Sequence, residues 1–408
     1  MSEPRKIVII GAGLAGASAA TALRERGYGG DLLLMGTDAH RPYELPPLSK
    51  GVLLGNSDEP DWVHDEGYYD EHDIRLASGV TATRLEPGAR LVLDDAGGEH
   101  LYDRLVLATG SRPRPLPVPG GELPGLYALR TLDDSLRLRS AFADAERVVV
   151  VGAGWIGTEA AAAARHHGAE VTVVSPGRLP LASVLGDEVA GVFRDLHQEN
   201  GVHWRLGERV AEVTGDSGGV RGVRLSGGDE LAADVVLVAV GAAPRVELAH
   251  AAGLELSDDG GVCVDAGLRT SAPDIYAIGD IAAHFHPRYD HRIRVEHWAT
   301  ARGHGAHVAP NLLGENEPYL ALPYFFTDQY DLGCEYRGSA DLDRDRLVVR
   351  GDLAARDFTA FWVTPGGEVG AAMNVNQWDD GDALQALVDG HAVVTDEQLR
   401  SGNLADLG

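Results

Sequence analysis

Two residue types are scarce in this sequence of 408 residues. It contains only two cysteines, Cys263 and Cys334, which lie far apart and form no Cys-x-x-Cys pair. This excludes a thiol redox centre and a cysteine-ligated iron–sulfur cluster. Lysine is as rare as cysteine, because Lys6 and Lys50 are the only lysines among 35 basic residues. In a chain that otherwise uses arginine, each lysine is a candidate for a specific role.

Long apolar runs and positive charge are also lacking. No apolar run approaches the roughly 18 residues that cross a membrane, and the first residues lack the apolar core and cleavage site of a signal peptide. We therefore expect a soluble, cytoplasmic protein without membrane contact. The formal net charge of −27 repels phosphate backbones, so we expect no nucleic-acid partner. The composition leaves open whether the protein is a monomer or a homodimer.

The most informative feature of the sequence is a pattern that occurs twice. Each copy has an apolar strand, a Gly-x-Gly-x-x-Gly turn, a helix of small residues and a second apolar strand. The turns are Gly11-x-Gly13-x-x-Gly16 and Gly152-x-Gly154-x-x-Gly157. In such units the glycines permit a tight turn, approach of a pyrophosphate and close packing of helix on strand. One copy is a weak signal, but two copies predict two dinucleotide sites, for which a flavin and a nicotinamide are the natural pair.

Later segments complete each unit. Apolar strands end at Gly110 and Gly241, and a third delivers Gly279-Asp280 to the strand edge where open α/β sheets bind ligands. The pattern predicts an α/β fold with two Rossmann-like domains, the second inserted in the first, and a C-terminal α+β domain. The expected boundaries are 1–113 with 246–318 for the first domain, 114–245 for the second and 319–408 for the third.

Several motifs together resemble a known family. They are the two glycine turns, Pro46-Pro-Leu-Ser-Lys50, Ala108-Thr-Gly110, Gly279-Asp280 and the segment from Pro323 to Gln329. Over essentially the whole chain they resemble the FAD-dependent ferredoxin and rubredoxin reductases, which have the double Rossmann fold of glutathione reductase. Within that family the likeness is closer to reductases that feed oxygenases, of the putidaredoxin and rhodocoxin reductase type. The resemblance implies an NAD(P)H:ferredoxin oxidoreductase, which passes a hydride from NADH or NADPH to FAD. Single electrons then go to a [2Fe–2S] or similar ferredoxin serving a cytochrome P450 or a Rieske-type oxygenase.

The resemblance also implies site residues. For FAD they are Gly11, Gly13, Leu14, Ala15, Gly16, Asp38, Arg41, Lys50, Val80, Ala108, Thr109, Gly110, Arg130, Gly279, Asp280, Glu296, His297, Trp298 and Phe326. For NAD(P) they are Gly152, Gly154, Trp155, Ile156, Gly157, Glu159, Ser175, Arg178 and Gly241. Lys50 and Glu159 are the catalytic candidates, expected to pair beside the flavin N5 and to orient the nicotinamide. Asp38 is either the acid that binds the adenosine ribose or a turn residue, since relatives often carry the acid at the position of Thr37.

Ser175 ends the strand where NAD-preferring units usually carry an acid. Without that acid a 2′-phosphate is not repelled, and Arg178 lies close enough in sequence to approach one. We therefore predict NADH as the coenzyme with appreciable use of NADPH. The alternative is that Arg178 stacks on adenine or points to solvent. We expect no metal site, because His284, His286, His304 and His307 lack a converging set of cysteines or carboxylates.

Two other functions stay open. One is a flavin-binding, NADH-sensing signalling protein of the apoptosis-inducing-factor type, although the basic targeting or DNA-binding segments expected for it are not found. The other is an NADH oxidase or quinone reductase.

Because ferredoxins are typically acidic, a reductase of this net charge needs a local basic face. The best candidate stretch is 288–302, whose arginines are Arg288, Arg292, Arg294 and Arg302.

Overall fold

The computed structural model describes residues 4–408, and within that range the chain forms 26 strands and nine α-helices. The strands are β1 Lys6–Ile10, β2 Asp31–Gly36, β3 Ile74–Ser78, β4 Ala82–Glu86, β5 Leu91–Asp94, β6 Glu99–Leu101, β7 Arg104–Leu107, β8 Ser111–Pro113, β9 Leu126–Tyr127, β10 Arg147–Val151, β11 Glu170–Ser175, β12 Val202–Leu206, β13 Val210–Asp216, β14 Gly219–Leu225, β15 Glu230–Ala232, β16 Val235–Val238, β17 Ala242–Pro244, β18 Val262–Val264, β19 Ile275–Ala277, β20 Ala282–His286, β21 His291–Ile293, β22 Tyr324–Gln329, β23 Leu332–Gly338, β24 Arg346–Asp352, β25 Asp357–Val363 and β26 Val369–Val375. The helices are α1 Leu14–Glu25, α2 Tyr68–Glu71, α3 Leu132–Asp144, α4 Trp155–His166, α5 Ala182–Glu199, α6 Glu247–Ala251, α7 Trp298–Leu312, α8 Gly381–Asp389 and α9 Asp396–Ser401.

The chain divides into two compact units. The first contains the chain up to Glu44, Asp61–Arg112 and Ala242–Ala321, and the second contains Leu45–Pro60, Pro113–Gly241 and Leu322–Gly408. These units describe packing and not ligands, so the predicted assignment of an FAD-binding, an NAD(P)-binding and a C-terminal domain stays a prediction. The first three residues of the predicted first domain lie outside the described range. Between residues 4 and 408, no helix has both the length and the apolarity to cross a membrane.

The first unit is built on a parallel five-stranded sheet. Its strand order is β19-β7-β1-β2-β3, with β1 in the centre and Ile7 in register with Leu32. Val8 and Ile9 of β1 are both essentially inaccessible to solvent, as expected for a strand covered on its two faces. Helices α1 and α7 pack so closely that a Cβ on Gly305 would lie 2.4 Å from the carbonyl oxygen of Ala15. The strand–turn–helix–strand pattern predicted from Lys6 to Met35 is confirmed.

The second unit repeats this plan and adds a further layer. Strands β12-β11-β10-β16-β9 form its parallel sheet, and the predicted strands before and after α4 are confirmed. The antiparallel sheet β22-β23-β26-β25-β24 has α5 packed on one face and α8 and α9 on the other. The sequence predicts a helical tail from Asp382 to Gly390, which is α8, but not α9. Helix α9 is held by a capping box between Thr395 and Gln398.

Candidate functional site

The glycine turn of the first unit leaves open space over a helix end. Gly11 has φ +117°, and a Cβ there would lie 2.0 Å from the carbonyl oxygen of Ala108. A Cβ on Gly16 would lie equally close, at 2.0 Å, to the carbonyl oxygen of Gly11. Gly13 differs, because a Cβ there would meet no atom within 4 Å, and as N-cap of α1 it offers no side-chain cap. The first backbone N–H groups of α1, from Leu14 onward, therefore face a space that suits a pyrophosphate.

The glycine turn of the second unit has the same geometry. Gly152 has φ +114° and a Cβ there would lie 2.2 Å from the carbonyl oxygen of Ala239, whereas Gly154 again has nothing within 4 Å. Gly154 is the N-cap of α4 and has no side-chain cap either. By contrast, α3 begins with Thr131 and a complete capping box. Both turns thus fit the diphosphate of a bound dinucleotide, since each leaves a helix N-terminus uncapped over empty space.

Other predicted FAD contacts gather around the first turn. Ala108 follows β7, and its N–H donates to the carbonyl of Ile10 at 2.7 Å. Thr109 donates from Oγ1 to the carbonyl of Arg245 at 2.6 Å, and Gly110 has φ +67°. A Cβ on Gly279, where φ is +68°, would lie 3.1 Å from the Cβ of Ala15. Asp280 beside it is only 8% exposed. The structure therefore brings the ends of β7 and β19 to the first turn of α1.

The carboxylate of Asp38 has partners within its own loop. One oxygen accepts from the N–H of His40 at 3.0 Å, and the other accepts from the hydroxyl of Tyr43 at 2.7 Å. These bonds match the turn role of Asp38, and its predicted ribose contact stays a prediction. Nearby, the Arg41 guanidinium lies 4.3 Å from the ring centroid of Trp62. Val80 follows β3 and is joined to β2 by a hydrogen bond from its N–H to the carbonyl of Gly36.

The segment around α7 holds the predicted residues Glu296, His297 and Trp298. Trp298 opens α7 after the N-cap His297, and its indole N–H donates to Glu44 at 2.9 Å. Glu296 forms an ion pair with Arg294. Arg294 also pairs with Asp259 at 3.0 Å, and its side chain is only 12% exposed. The prediction that Arg294 belongs to an open basic face is therefore wrong. Of the four arginines in this stretch, Arg292 and Arg302 are exposed.

The catalytic candidates meet in the second unit. The ammonium of Lys50 lies 2.7 Å from Oε1 of Glu159, with the two side chains 17% and 4% exposed. Lys50 follows the 3-10 turn Pro46–Ser49, and Glu159 lies in the first turns of α4. The Lys50 ammonium is also 5.2 Å from the ring centroid of Phe326 on β22. The pairing of Lys50 with Glu159 predicted from the sequence is therefore present.

Two further groups bind Glu159 that the sequence leaves unassigned. The Thr327 hydroxyl donates to Oε1 at 2.5 Å, and the Ser49 hydroxyl donates to Oε2. The buried carboxylate thus has three donors: one ammonium and two hydroxyls. Both hydroxyl residues sit inside the recognised motifs, next to Lys50 and Phe326, and that adjacency is the only signal that points to them.

The remaining NAD(P) candidates surround α4 and the end of β11. Trp155 packs against Phe193 and Phe325, with ring centroids 5.7 and 4.7 Å away, while its neighbour Ile156 is 44% exposed. Ser175 is 8% exposed and accepts from the N–H of Gly177 at 3.3 Å.

Three other candidates of the second unit have partners of their own. Arg178 forms an ion pair with Asp187, a contact that the sequence does not predict. Gly241 has φ +100°, and its carbonyl accepts from the N–H of Arg114 at 2.9 Å. Arg130, predicted to contact FAD, also lies in this unit, where its N–H donates to Asp134 at 3.2 Å. The guanidinium of Arg178 is therefore engaged by an acid of its own unit.

The histidines singled out in the sequence lie mostly inside the first unit. His284, His286 and His304 are at most 1% exposed. Burial lowers the pKa of His284 to about 4 and holds the pKa of His304 well below its ordinary value. In the range 4–408, no group of three or more histidine, cysteine or acidic side chains is arranged to hold a metal ion.

Each unit therefore carries an uncapped helix N-terminus over open space at the carboxyl edge of a parallel sheet. This defines the class as an α/β protein with two dinucleotide-binding folds. Residues 5–305 match the pyridine nucleotide-disulphide oxidoreductase family, and residues 324–406 match the reductase C-terminal domain. The chain belongs to the pyridine nucleotide-disulphide oxidoreductase family. The fold class and the family resemblance predicted from the sequence are confirmed.

Named relatives narrow the comparison. The chain is 40% identical to a rhodocoxin reductase of Rhodococcus erythropolis, over 87% of this chain and 83% of that protein. It is 38% identical to the ferredoxin–NAD(+) reductase component of an anthranilate 1,2-dioxygenase system of Burkholderia cepacia, over 96% of both. The crystal structure of the ferredoxin reductase for the CYP199A2 system from Rhodopseudomonas palustris superposes with a TM-score of 0.94 and 36% identity, covering 98% of this chain and 99% of that one.

The two cysteines are not placed for the disulphide chemistry that gives the family its name. Cys263 and Cys334 are both free and buried. Burial raises the pKa of each thiol, so neither is disposed to react as a thiolate. Redox chemistry in this oxidoreductase therefore does not pass through a disulphide of its own two cysteines.

Proposed function

We propose that this chain is an FAD-dependent NAD(P)H:ferredoxin oxidoreductase that takes electrons from NADH and delivers them to a small iron–sulfur ferredoxin. That ferredoxin then serves a cytochrome P450 or a Rieske-type oxygenase. The observation that carries the proposal is the pair of open, uncapped glycine turns, one in each unit. Two dinucleotides held by one chain are what a hydride transfer from a nicotinamide to a flavin requires.

The first unit is proposed to bind FAD. Its pyrophosphate would lie on the turn from Gly11 to Gly16, which is open above Gly13. Asp280, buried beside that turn, would accept hydrogen bonds from hydroxyl groups of the ribityl chain. When bound, FAD accepts two electrons as a hydride and releases them singly, which is the conversion that a one-electron acceptor such as a ferredoxin needs.

The second unit is proposed to bind NADH on the turn from Gly152 to Gly157. Lys50 and Glu159 would then fix the nicotinamide end by hydrogen bonds to its carboxamide, because a carboxylate accepts and an ammonium donates. The pair is neutral as a whole and mostly removed from water, so it orients a polar group without placing a net charge beside it. Positioning of this kind is the main contribution that a protein makes to hydride transfer.

The names of the relatives support a ferredoxin as the electron acceptor. One of them is the ferredoxin–NAD(+) reductase component of a dioxygenase system, and one similar structure serves a CYP system. A chain with these relatives over nearly its whole length is proposed to reduce a ferredoxin of an oxygenase system in the same way. The same names favour NADH over NADPH as the electron donor.

The experiment that tests this function measures NADH-dependent reduction of cytochrome c with and without an added [2Fe–2S] ferredoxin. Turnover that rises with ferredoxin concentration and saturates supports the proposal. Rapid NADH oxidation that is independent of ferredoxin would instead identify an oxidase or quinone reductase. Reduction that stays slow with every ferredoxin tried, in a protein that carries FAD, would contradict the proposal and favour a signalling flavoprotein.

A further inference from the structure

A line of buried hydrogen bonds leads from Glu159 to a histidine that the proposed chemistry does not use. Thr327 donates to Glu159, and the side-chain amide of Gln329 donates to the Thr327 hydroxyl at 3.1 Å. The amide oxygen of Gln329 lies 2.7 Å from Nε2 of His197, on α5. His197 is fully buried, and Thr327 and Gln329 are each 1% exposed. All four residues belong to the second unit.

The direction of this hydrogen-bond chain is set by the carboxylate at its end. Because an ionised carboxylate can only accept, the single proton of the Thr327 hydroxyl must point to Glu159. The hydroxyl of Thr327 then has to accept from Gln329, whose second N–H donates to the hydroxyl of Thr158 at 3.0 Å. The amide therefore turns its oxygen to His197, which must donate from Nε2.

The surroundings of His197 agree with this tautomer. Its Nδ1 is buried without a hydrogen-bond partner, as the non-protonated nitrogen of a neutral ring. Burial lowers the pKa of His197 to about 4, so the ring is uncharged near neutral pH. The rings of Trp204 and Tyr330 pack edge-on against the imidazole at 5.6 and 5.2 Å and restrict its rotation. His197 thus contributes one fixed donor and no charge.

We propose that His197 and Gln329 are positioning residues of the reductase reaction, which act through Thr327 to hold the Glu159 carboxylate against Lys50. Without His197 the Gln329 amide is free to rotate by half a turn. Its oxygen would then accept the hydrogen bond that the Thr327 hydroxyl otherwise donates to Glu159. This inference rests on the proposed function, because it assigns a purpose to the Lys50–Glu159 pair. It gives a role to a buried histidine on a helix that carries no dinucleotide motif.

The test uses three variants of the FAD-loaded protein and a double-mutant cycle. His197→Phe keeps an aromatic ring but removes the donor, and His197→Gln restores an N–H donor. Thr327→Val breaks the hydrogen-bond chain next to Glu159. We expect His197→Phe and Thr327→Val each to slow flavin bleaching by NADH about threefold to tenfold, the range for one lost hydrogen bond. His197→Gln should recover most of the loss, and the double variant should be no slower than Thr327→Val alone.

A second readout does not depend on turnover. Long-range 15N–1H spectra of the histidine side chains in the oxidised protein should show His197 as the Nε2–H tautomer from pH 5.5 to 8. An Nδ1–H tautomer, a protonated ring in that range, or additive effects of His197→Phe and Thr327→Val would overturn the inference. If NADH fails to reduce the flavin of the wild-type protein, the proposed function fails instead. The spectra would then still report on the hydrogen-bond chain.

Discussion

The ammonium of Lys50 lies 2.7 Å from a carboxylate oxygen of Glu159, although 109 residues separate them in the chain. The carboxylate is almost completely buried and accepts two further hydrogen bonds, from Ser49 and Thr327. Ion pairs at the surface contribute little to stability, but removal of one partner from a buried pair leaves an uncompensated charge. The pair is therefore sensitive to the loss of either member.

The first prediction concerns Lys50→Met. The substitution leaves the Glu159 carboxylate with two hydroxyl donors, so we expect the free energy of unfolding to fall by about 1–3 kcal/mol. If the pair orients the nicotinamide, flavin bleaching by NADH should slow by about tenfold or more. Urea denaturation and stopped-flow absorbance measure the two effects. Lys6→Met, at the only other lysine, is the matched control and should change neither. Unchanged bleaching in both Lys50→Met and Glu159→Gln would exclude a role in hydride transfer.

How far the sequence leads is clear from this cluster. The glycine turns can be predicted because each is a local motif with a known physical purpose. The Lys50–Glu159 pair joins two distant motifs and is expected only from the family resemblance. Thr327 and Gln329 are two positions apart on one strand and therefore lie on the same face. The sequence does not show which element packs on that face, so the contact with His197 cannot be predicted. Arg294 is wrongly placed on a basic face for the same reason, since its partner Asp259 lies 35 residues away in the chain.

The second prediction uses the open space above the two turns. A Cβ at Gly154 would meet no protein atom within 4 Å, and the backbone there has φ −84°, which any residue can adopt. Gly154→Val should therefore fold and retain FAD, but raise the KM for NADH at least tenfold by filling the phosphate space. Gly13→Val should lose FAD without losing its fold. In contrast, Gly152→Val should be unstable, because its Cβ overlaps the carbonyl of Ala239. Flavin absorbance, circular dichroism and NADH titration separate the three outcomes, and NADH binding by Gly154→Val with wild-type affinity would refute the assignment of this turn.

The third prediction concerns coenzyme choice. Because Arg178 is paired with Asp187, the arginine is less available to a 2′-phosphate than the sequence alone implies. The wild-type ratio of kcat/KM for NADH over NADPH should still be below about a thousandfold, or about 4 kcal/mol. Asp187→Asn releases Arg178 and should raise kcat/KM for NADPH twofold to fivefold, in line with the modest strength of an exposed ion pair. Arg178→Met should remove that gain in the double variant. A larger wild-type ratio would show that another group rejects the phosphate.

The fourth prediction concerns the ferredoxin. Arg292 is exposed next to the segment that holds Trp298, whereas Arg294 is occupied by two acids. Charge reversal by Arg292→Glu should raise the KM for an acidic ferredoxin about threefold to tenfold and leave the KM for NADH unchanged. The effect should shrink as salt is added. Arg221→Glu, an exposed arginine on β14, is the control. Equal changes in both KM values, or equal effects of the control, would exclude docking at Arg292.

The last prediction concerns stability against pH and follows from a buried imidazole in the first unit. Both ring nitrogens of His284 are buried without hydrogen-bond partners, and burial lowers its pKa from 6.5 to about 4. The rings of His304 and Tyr319 pack against it edge-on, at 4.9 and 5.6 Å, and supply no opposite charge.

Between pH 6.5 and 4 the imidazole of His284 is therefore protonated in the unfolded chain but neutral in the folded chain. Stability is fully present above pH 6.5 and is lost as the pH falls towards 4, by up to about 1.4 kcal/mol per pH unit for each such histidine. His284→Phe keeps the packing and removes the titration, so its urea midpoint should fall less steeply between pH 6.5 and 4.5 than that of the wild type. His203→Phe, at an exposed position, should leave the slope unchanged. Parallel wild-type and His284→Phe profiles would show that His284 is protonated in the folded state, and the loss of stability in acid would then have to come from other groups.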